Sequence, residues 1–117
     1  MRVWDLPVGC LCRNHLLAEH RELHAIWTII LEGKKGYSRH PEVLRWTGKL
    51  LALAARHDEQ VREMEARGYR HRSPLDLSAV PASERGRVQD TLLEPVAGQA
   101  RRLRGKGCEC DTRGKRP

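Results

Sequence analysis

Residues 14–31 read NHLLAEHRELHAIWTIIL and carry the clearest periodic pattern in the chain. At 100° per residue, one face of a helix collects apolar side chains, namely Leu16, Leu23, Trp27 and Ile30. The opposite face is polar and holds Arg13, His20, His24 and Thr28. Asn14 is a suitable N-cap, and Gly33 is a suitable terminator. The pattern therefore predicts an amphipathic α-helix over residues 14–31.

A second helix is predicted from Pro41 to Arg67. Proline is favoured in a first helical turn because its missing N–H needs no partner there, and Gly68 suits a left-handed stop. The apolar arc of this helix consists of Trp46, Leu50, Leu53, Ala54, Val61 and Met64. The other side carries a basic stripe of Arg45, Lys49, Arg56 and Arg67. Two interpretations of the stripe are open, a track for phosphates or an ordinary solvated face.

The remainder of the chain is less regular. Pro74 and Pro81 predict an irregular connection over residues 70–83. A third helix is expected within residues 83–104, where Thr91 and Glu94 match a capping box and Pro95 excludes a helix interior. The predicted fold class is all-α, a small single domain of about three helices with irregular connections over residues 1–103. Residues 104–117 are rich in glycine and charge and predict a basic, flexible tail.

Composition and charge narrow the class of protein. A length of 117 residues supports one compact domain. With three Trp, two Tyr and no Phe, the core must be mainly aliphatic, which suits packed helices. The 22 basic and 15 acidic residues give a net charge of +7, which favours a nucleic-acid partner, although ribosome-binding and membrane-surface proteins share it. No apolar run is long enough for a membrane span or a signal peptide, so we expect a cytoplasmic, nucleoid-associated protein.

The four cysteines form two close pairs, Cys10 with Cys12 and Cys108 with Cys110. Thiolates are preferred ligands of structural zinc, so a site split between the two pairs is one interpretation. Zinc ligands usually leave two or more residues between paired cysteines, whereas each of these pairs leaves one. The spacing therefore favours ordinary thiols and no metal.

The most informative short segment is HLLAEHREL, residues 15–23. On the helical wheel, His15 and Glu22 lie within about 20° of each other at the margin of the apolar stripe. A carboxylate in that position loses part of its solvation, which suits a group that exchanges protons. The alternative interpretation is a half-exposed Glu22 paired with Arg21 or Lys49.

This segment resembles the first helix of the phage-type pyrimidine-dimer DNA glycosylases, also called endonuclease V. The positions that match this family without a gap are Met1, Arg2, His15, Ala18, Glu19, Arg21, Glu22 and Leu23. Weaker matches follow at Lys49-Leu50, Arg67-Gly68-Tyr69, Pro81, Arg85-Gly86 and Gln99-Ala100-Arg101. The resemblance thus extends almost to the end of the predicted domain.

The resemblance implies a small all-helical fold and assigns roles to matching residues. The α-amine of Met1 is the expected nucleophile and Glu22 the expected catalytic carboxylate. The expected DNA contacts are Arg2, His15, Arg21 and Arg101, to which we add Asn14, Lys34 and Lys35. Lys34 or Lys35 is the alternative source of the reactive amine. No cofactor is expected, and the expected partner is double-stranded DNA containing a lesion, bound by a monomer without any membrane.

The implied activity is base excision repair by a DNA glycosylase and abasic-site lyase that forms a Schiff base, with cyclobutane pyrimidine dimers as substrate.

Arg2 follows Met1, so Met1 itself should be retained and supply the amine once deformylated. The family has an Arg where Ala25 stands, so the identity of the lesion that this chain prefers stays open. The family's aromatic C-terminal segment is absent. The alternatives are a glycosylase for another modified or damaged base, a non-catalytic helical DNA-binding module, and a zinc-stapled regulator.

Overall fold

Four α-helices carry the fold in a computed structural model that describes residues 1–36, 38–70, 73–107 and 110. They are α1 (Arg13–Glu32), α2 (Pro41–Trp46), α3 (Leu50–Ala66) and α4 (Val96–Gly105). Three short 3-10 turns lie at Val8–Cys10, Leu77–Ala79 and Ala82–Glu84. The described residues contain no β-strand, so the all-α prediction is confirmed. Within this part of the chain, no helix has both the length and the apolar character needed to cross a membrane.

The first helix is close to its prediction except at the N-cap. Cys12, with extended backbone, precedes α1, whereas Asn14 lies inside the first turn, so the predicted Asn14 cap is wrong. Gly33 ends the helix as predicted, with a left-handed φ of 65°. The buried face includes Leu16, Leu23 and Trp27. Local periodicity and a terminal glycine therefore define this element.

The single helix predicted over residues 41–67 is in fact two helices, α2 and α3. Gly48 breaks it with a φ of 83°. The Gly48 N–H donates to the Glu84 carboxylate, and its carbonyl accepts a 2.9 Å hydrogen bond from the Gly86 N–H. The Gly86 carbonyl in turn accepts from the Ala52 N–H at 2.9 Å. A Cβ at Gly86 would overlap the Gly48 carbonyl, so the close approach of these two backbones requires glycine.

The later elements correct two further details. Gly68 has a φ of 84° just beyond α3, which confirms the predicted stop. The capping box at Thr91 and Glu94 is wrong, because Pro95 is the N-cap of α4 and the Thr91 N–H donates to Gln89 instead. Helix α4 continues to Gly105, two residues into the predicted tail. The rest of that tail lies outside the described residues, except for positions 106, 107 and 110.

The core has two clusters, and the N-terminal segment contributes to both. The first lies among α1, α2 and α3 and contains Val3, Leu23, Ile26, Trp27, Val43, Trp46, Leu50 and Leu53. The second joins the start of α1 to α4 and contains Trp4, Leu6, Leu11, Leu16, Met64, Ala100 and Leu103. Burying one such side chain contributes roughly 1.5–3 kcal/mol. The first residues of the chain are therefore part of the hydrophobic core.

Candidate active site

The α-amine of Met1 and the carboxylate of Glu22 form a close pair. The Met1 nitrogen lies 3.6 Å from Glu22 Oε2. The Arg2 backbone N–H donates to the same oxygen. The Glu22 side chain is 38% exposed, whereas that of Met1 is 13% exposed and packs against the first core cluster. The carboxylate is thus held by the N-terminus and remains open to a ligand from solvent.

In the structure, Glu22 pairs with neither Arg21 nor Lys49. Lys49 Nζ lies 2.9 Å from Gln89 Oε1 and 3.0 Å from Asp90 Oδ1. Arg21 is exposed on α1 and makes no ion pair with Glu22 within the described part of the chain. The charge that faces Glu22 is therefore that of the N-terminal amine.

Residues 3–6 are held by side chains from all four helices, an arrangement we call the N-terminal clamp. Four successive residues each use a backbone group. The Val3 carbonyl accepts from Arg45 Nη2 of α2 at 2.8 Å, and the Trp4 N–H donates to Glu19 Oε1 of α1 at 2.7 Å. The Asp5 N–H donates to Gln99 Oε1 of α4 at 2.8 Å, and the Leu6 carbonyl accepts from Arg56 Nη1 of α3 at 2.7 Å. Because each helix supplies one contact, the position of the Met1 amine depends on the whole fold.

Glu19 is the most buried charged group of the clamp, with a side chain 0% exposed. Its carboxylate accepts from Arg56 Nε at 2.9 Å and from Arg56 Nη2 at 3.0 Å, a bidentate arrangement. It also accepts from the Trp4 N–H and from the Gln60 amide. A buried carboxylate is tolerated only when it is paired and hydrogen-bonded in this way. Glu19 therefore joins α1, α3 and the N-terminal segment.

The predicted basic stripe is neither a phosphate track nor a solvated face. Arg45 is 2% exposed and binds Glu42 at 2.7 Å and Asp5 at 3.1 Å. Arg56 belongs to the N-terminal clamp, and Lys49 binds the segment around residue 90. Arg67 donates to the Glu63 carboxylate and to the Leu11 carbonyl, each at 2.6 Å. All four cations bind partners within the protein. The irregular segments cover the side of the helix that the helical wheel assigns to solvent.

Arg2 projects from the amine–carboxylate pair towards α4. Its guanidinium lies 4.5 Å from the centroid of the Trp4 ring and 3.3 Å from Glu94 Oε1. The hydrogen bond from Arg102 holds the pKa of Glu94 below its ordinary value, and the same contact raises the pKa of Arg102. Glu94 is therefore an ionised partner that holds Arg2 in the free protein.

His15 lies beside this group but faces sulfur atoms. Its ring meets Trp4 edge to face, with centroids 6.1 Å apart. His15 Nδ1 is 3.2 Å from Cys12 Sγ and 3.4 Å from Cys110 Sγ. Burial lowers the pKa of His15, and the positive charge of Lys106 lowers it further. The His15 ring is therefore turned towards thiols.

The other predicted DNA contacts are spread over the surface. Asn14 and Arg21 are exposed on α1, and Arg101 is exposed on α4. Lys34 and Lys35 are exposed beyond the end of α1. At 1.5 Å per residue, the end of α1 is roughly 15 Å from Glu22, so the structure does not bring these two lysines to the amine–carboxylate pair. Among the predicted residues, Met1, Arg2 and Glu22 are the ones that meet.

Two groups of metal-ligating side chains occur in the described part of the chain. One consists of Cys12, His15 and Cys110, and the other of His20, His24 and His57. Within each group the possible ligand atoms lie within 4.8 Å of one another. Glu22 belongs to neither group.

The fold is a small all-α domain in which the N-terminal amine faces one partly exposed carboxylate. Residues 1–77, about two thirds of the chain, match the family described as pyrimidine dimer DNA glycosylase. The chain belongs to this family and is accordingly a DNA-repair glycosylase that acts on DNA with lesions. The match covers Met1 and Glu22 but stops before α4. The chain matches no curated protein and no solved structure.

Proposed function

We propose that the protein is a bifunctional DNA glycosylase and abasic-site lyase whose nucleophile is the Met1 α-amine. The observation that carries the proposal is the 3.6 Å separation between the Met1 nitrogen and Glu22 Oε2. The N-terminal clamp supports it, because its contacts hold the backbone of residues 3–6 directly beside the amine. A nucleophile must be held in one place in this way.

The chemistry of an α-amine suits this role. An α-amine loses its proton well below the pH at which a lysine side chain does, so a larger fraction is nucleophilic near neutrality. The lone pair forms a bond to C1′ of the damaged nucleotide, and the bond from C1′ to the base breaks with its electron pair leaving on the base. The nitrogen then loses a proton, and opening of the sugar ring gives an imine between Met1 and the DNA.

Glu22 has two tasks in this scheme. Its carboxylate lies close enough to the amine to accept the proton released after attack and to stabilise positive charge on the sugar. The imine makes the C2′ hydrogen acidic. Removal of that proton sends an electron pair towards C3′, where the bond to the phosphate oxygen breaks and the strand is nicked. Glu22 is 38% exposed, so a sugar extruded from the duplex can reach it.

The exposed cations supply the DNA-binding surface in this proposal. Arg2, Arg21, Lys34, Lys35 and Arg101 contact phosphates, and Asn14 adds a neutral hydrogen-bonding side chain. Such contacts position the duplex without reading its sequence. Arg2 exchanges Glu94 for a phosphate when DNA binds. These exposed cations, and not the predicted basic stripe, form the positively charged surface that attracts DNA in this proposal.

The proposed substrate is a cyclobutane pyrimidine dimer. A second candidate is another modified or damaged base, and one observation favours it. Ala25 is exposed on α1, three residues beyond Glu22, at the position where the resemblance places an Arg. A missing cation beside the catalytic carboxylate changes which base is best stabilised as it leaves.

A panel of duplex oligonucleotides tests the function. Each duplex carries one pyrimidine dimer, one abasic site, one other modified pyrimidine or no lesion, and each is incubated with untagged protein. We expect base release and strand cleavage at the dimer, cleavage at the abasic site, and no reaction with undamaged DNA. The matched control is the same chain with an N-terminal extension, which should bind DNA but not cleave it. Equal cleavage by the extended chain would contradict the proposal.

A further inference from the structure

Cys12, His15 and Cys110 form a tight cluster at the start of α1, and His15 contacts the Trp4 ring. Cys12 and His15 leave two residues between them, which is a common spacing for zinc ligands. The Cys-x-Cys spacing alone predicts no metal site. The structure instead joins one member of each pair to a histidine, whereas Cys10 is buried and belongs to no metal-ligating group among the described residues.

The contact distances in this cluster match those around a metal ion. His15 Nδ1 lies 3.2 Å from one sulfur and 3.4 Å from the other. An imidazole nitrogen has either one lone pair or one N–H, so it cannot make good hydrogen bonds to two sulfurs at once. In a tetrahedral zinc site, bonds of about 2.3 Å to sulfur and 2.0–2.1 Å to nitrogen place these ligand atoms about 3.5 Å apart. A central ion therefore explains both contacts.

The backbone around the cluster favours thiolates. The Cys12 N–H donates to Cys110 Sγ at 3.1 Å. Cys12 is also the N-cap of α1, a helix of 20 residues. The positive end of the helix dipole and a donated N–H both stabilise negative charge on sulfur. We propose that Cys12, His15 and Cys110 bind a structural zinc ion, with the fourth position left to a further ligand.

This zinc would tie residue 110, beyond α4, to the start of α1. Zinc binding contributes directly to folding free energy, because a formed site does not exist in the unfolded chain. It also commits the His15 imidazole to the metal. His15 then positions Trp4 and does not contact DNA, contrary to what the resemblance implies.

Zinc content of the reduced, untagged full chain tests the cysteine–histidine site. Cys12→Ser should lower bound zinc by one equivalent per chain, and cobalt(II) substituted into the native protein should show thiolate-to-cobalt charge-transfer absorption that Cys12→Ser removes. The matched control is Cys10→Ala, which should keep both signals. The proposal is overturned if zinc content is the same in Cys12→Ser, or if native protein binds no metal and gives no such absorption.

A second, independent group of ligands lies between α1 and α3. His20, His24 and His57 pack with ring centroids 4.6, 4.9 and 5.0 Å apart. His20 and His24 were predicted to lie on the polar, solvent-facing side of α1, but both are half-buried against α3.

Hydrogen bonds orient the rings of this cluster. The Gln60 amide nitrogen donates to Glu19, so Gln60 Oε1 must be the atom that faces His20 Nδ1 at 2.9 Å. His20 Nδ1 is then the donor, and its Nε2 has the lone pair. His57 Nε2 lies 3.2 Å from the Ser73 carbonyl, and its Nδ1 lies 3.5 Å from Asp58 Oδ1. Metal-ligating histidines are oriented by outer hydrogen bonds of this kind.

The remaining distance agrees with a metal site. His20 Nε2 and His24 Nε2 are 3.2 Å apart, close to the separation of about 3.3 Å between two nitrogens on tetrahedral zinc. We infer that His20, His24 and His57 bind a second zinc ion. Through Gln60 and Glu19 this site joins the network that holds Trp4, so bound metal would rigidify the N-terminal clamp.

The two sites are distinguished by complementary variants in the native background. His24→Gln should lower bound zinc by one equivalent yet keep the thiolate-to-cobalt absorption, whereas Cys12→Ser should lower bound zinc by one equivalent and remove that absorption. The matched control is His40→Asn, since His40 caps α2 and asparagine preserves a cap. Unchanged zinc content in His24→Gln would overturn the three-histidine site without affecting the cysteine–histidine site.

Discussion

Residues 1–6 and residues 33–36 both present primary amines, but the fold treats the two segments in opposite ways. Residues 3–6 are held by side chains of all four helices, and the Met1 nitrogen faces a carboxylate. Lys34 and Lys35 are exposed in a loop and make no ion pair among the described residues. The fold therefore fixes the segment beside one primary amine and leaves the two lysine amines exposed.

The largest expected effect comes from breaking the contact between the Met1 amine and the Glu22 carboxylate. Glu22→Gln keeps the shape of the side chain but removes the proton acceptor, so base release should fall by at least about 100-fold. Single-turnover cleavage of a dimer-containing duplex measures this, with DNA binding as a check of folding. The matched control is Glu32→Gln at the exposed end of α1, which should stay within about twofold of the native rate. Native-like cleavage by Glu22→Gln would remove the carboxylate from the mechanism.

The second effect comes from loosening the N-terminal clamp. Glu19→Gln removes the buried, bidentate counter-charge of Arg56 and leaves only an exposed carboxylate near it, which should lower the free energy of unfolding by about 3–5 kcal/mol. Urea unfolding at neutral pH measures the loss. Glu59→Gln is the matched control, because Glu59 is 47% exposed and lies 3.7 Å from the same Arg56, so its loss should cost less than about 1 kcal/mol. Equal effects of the two changes would show that the clamp is not a cooperative unit.

A smaller effect is expected from the exposed lysines. Replacing both Lys34 and Lys35 by alanine should weaken binding to any duplex and lower the slope of log affinity against log salt by roughly two. Cleavage at saturating DNA should be unchanged, since neither amine is the nucleophile. Titrations at several salt concentrations check the slope. Loss of cleavage at saturation would instead return these lysines to the catalytic scheme.

The smallest effect concerns Glu94, which competes with DNA for Arg2. Glu94→Gln should raise affinity for undamaged duplex by about twofold to threefold at low salt. Because the pKa of Glu94 is lowered by Arg102, the carboxylate stays ionised as pH falls and loses its ion pairs only below the ordinary glutamate range. The gain should therefore be the same from about pH 5 to about pH 8. A gain that vanishes at the lower pH would mean that Glu94 is already protonated there.

Sequence reasoning predicted what local pattern determines. The periodicity of residues 14–31, the stop at Gly33 and the stop at Gly68 all appear in the structure. The split between α2 and α3 was missed, since it depends on residues 84–86 docking against Gly48. A single glycine inside a long helical pattern does not reveal a contact with a segment so distant in sequence.

The candidate site was predicted unevenly for a similar reason. Met1 and Glu22 came from the resemblance, and the helical wheel added only that Glu22 lies at the margin of the apolar face. The N-terminal clamp was missed because charged residues on amphipathic helices were interpreted as solvated or as phosphate contacts. Its partners are 15 to 94 residues apart in sequence, so tertiary packing alone reveals them. Glu19 and Gln99 did match the family pattern, which was the available signal.

The most direct test is to trap and map the covalent intermediate. Borohydride added during the reaction of untagged protein with dimer-containing duplex should reduce the imine to a stable adduct of protein and oligonucleotide. Digestion and mass spectrometry should place the DNA remnant on Met1. An adduct on Lys34 or Lys35, or equal trapping by a chain whose N-terminus is extended, would contradict the claim that the clamped α-amine is the nucleophile.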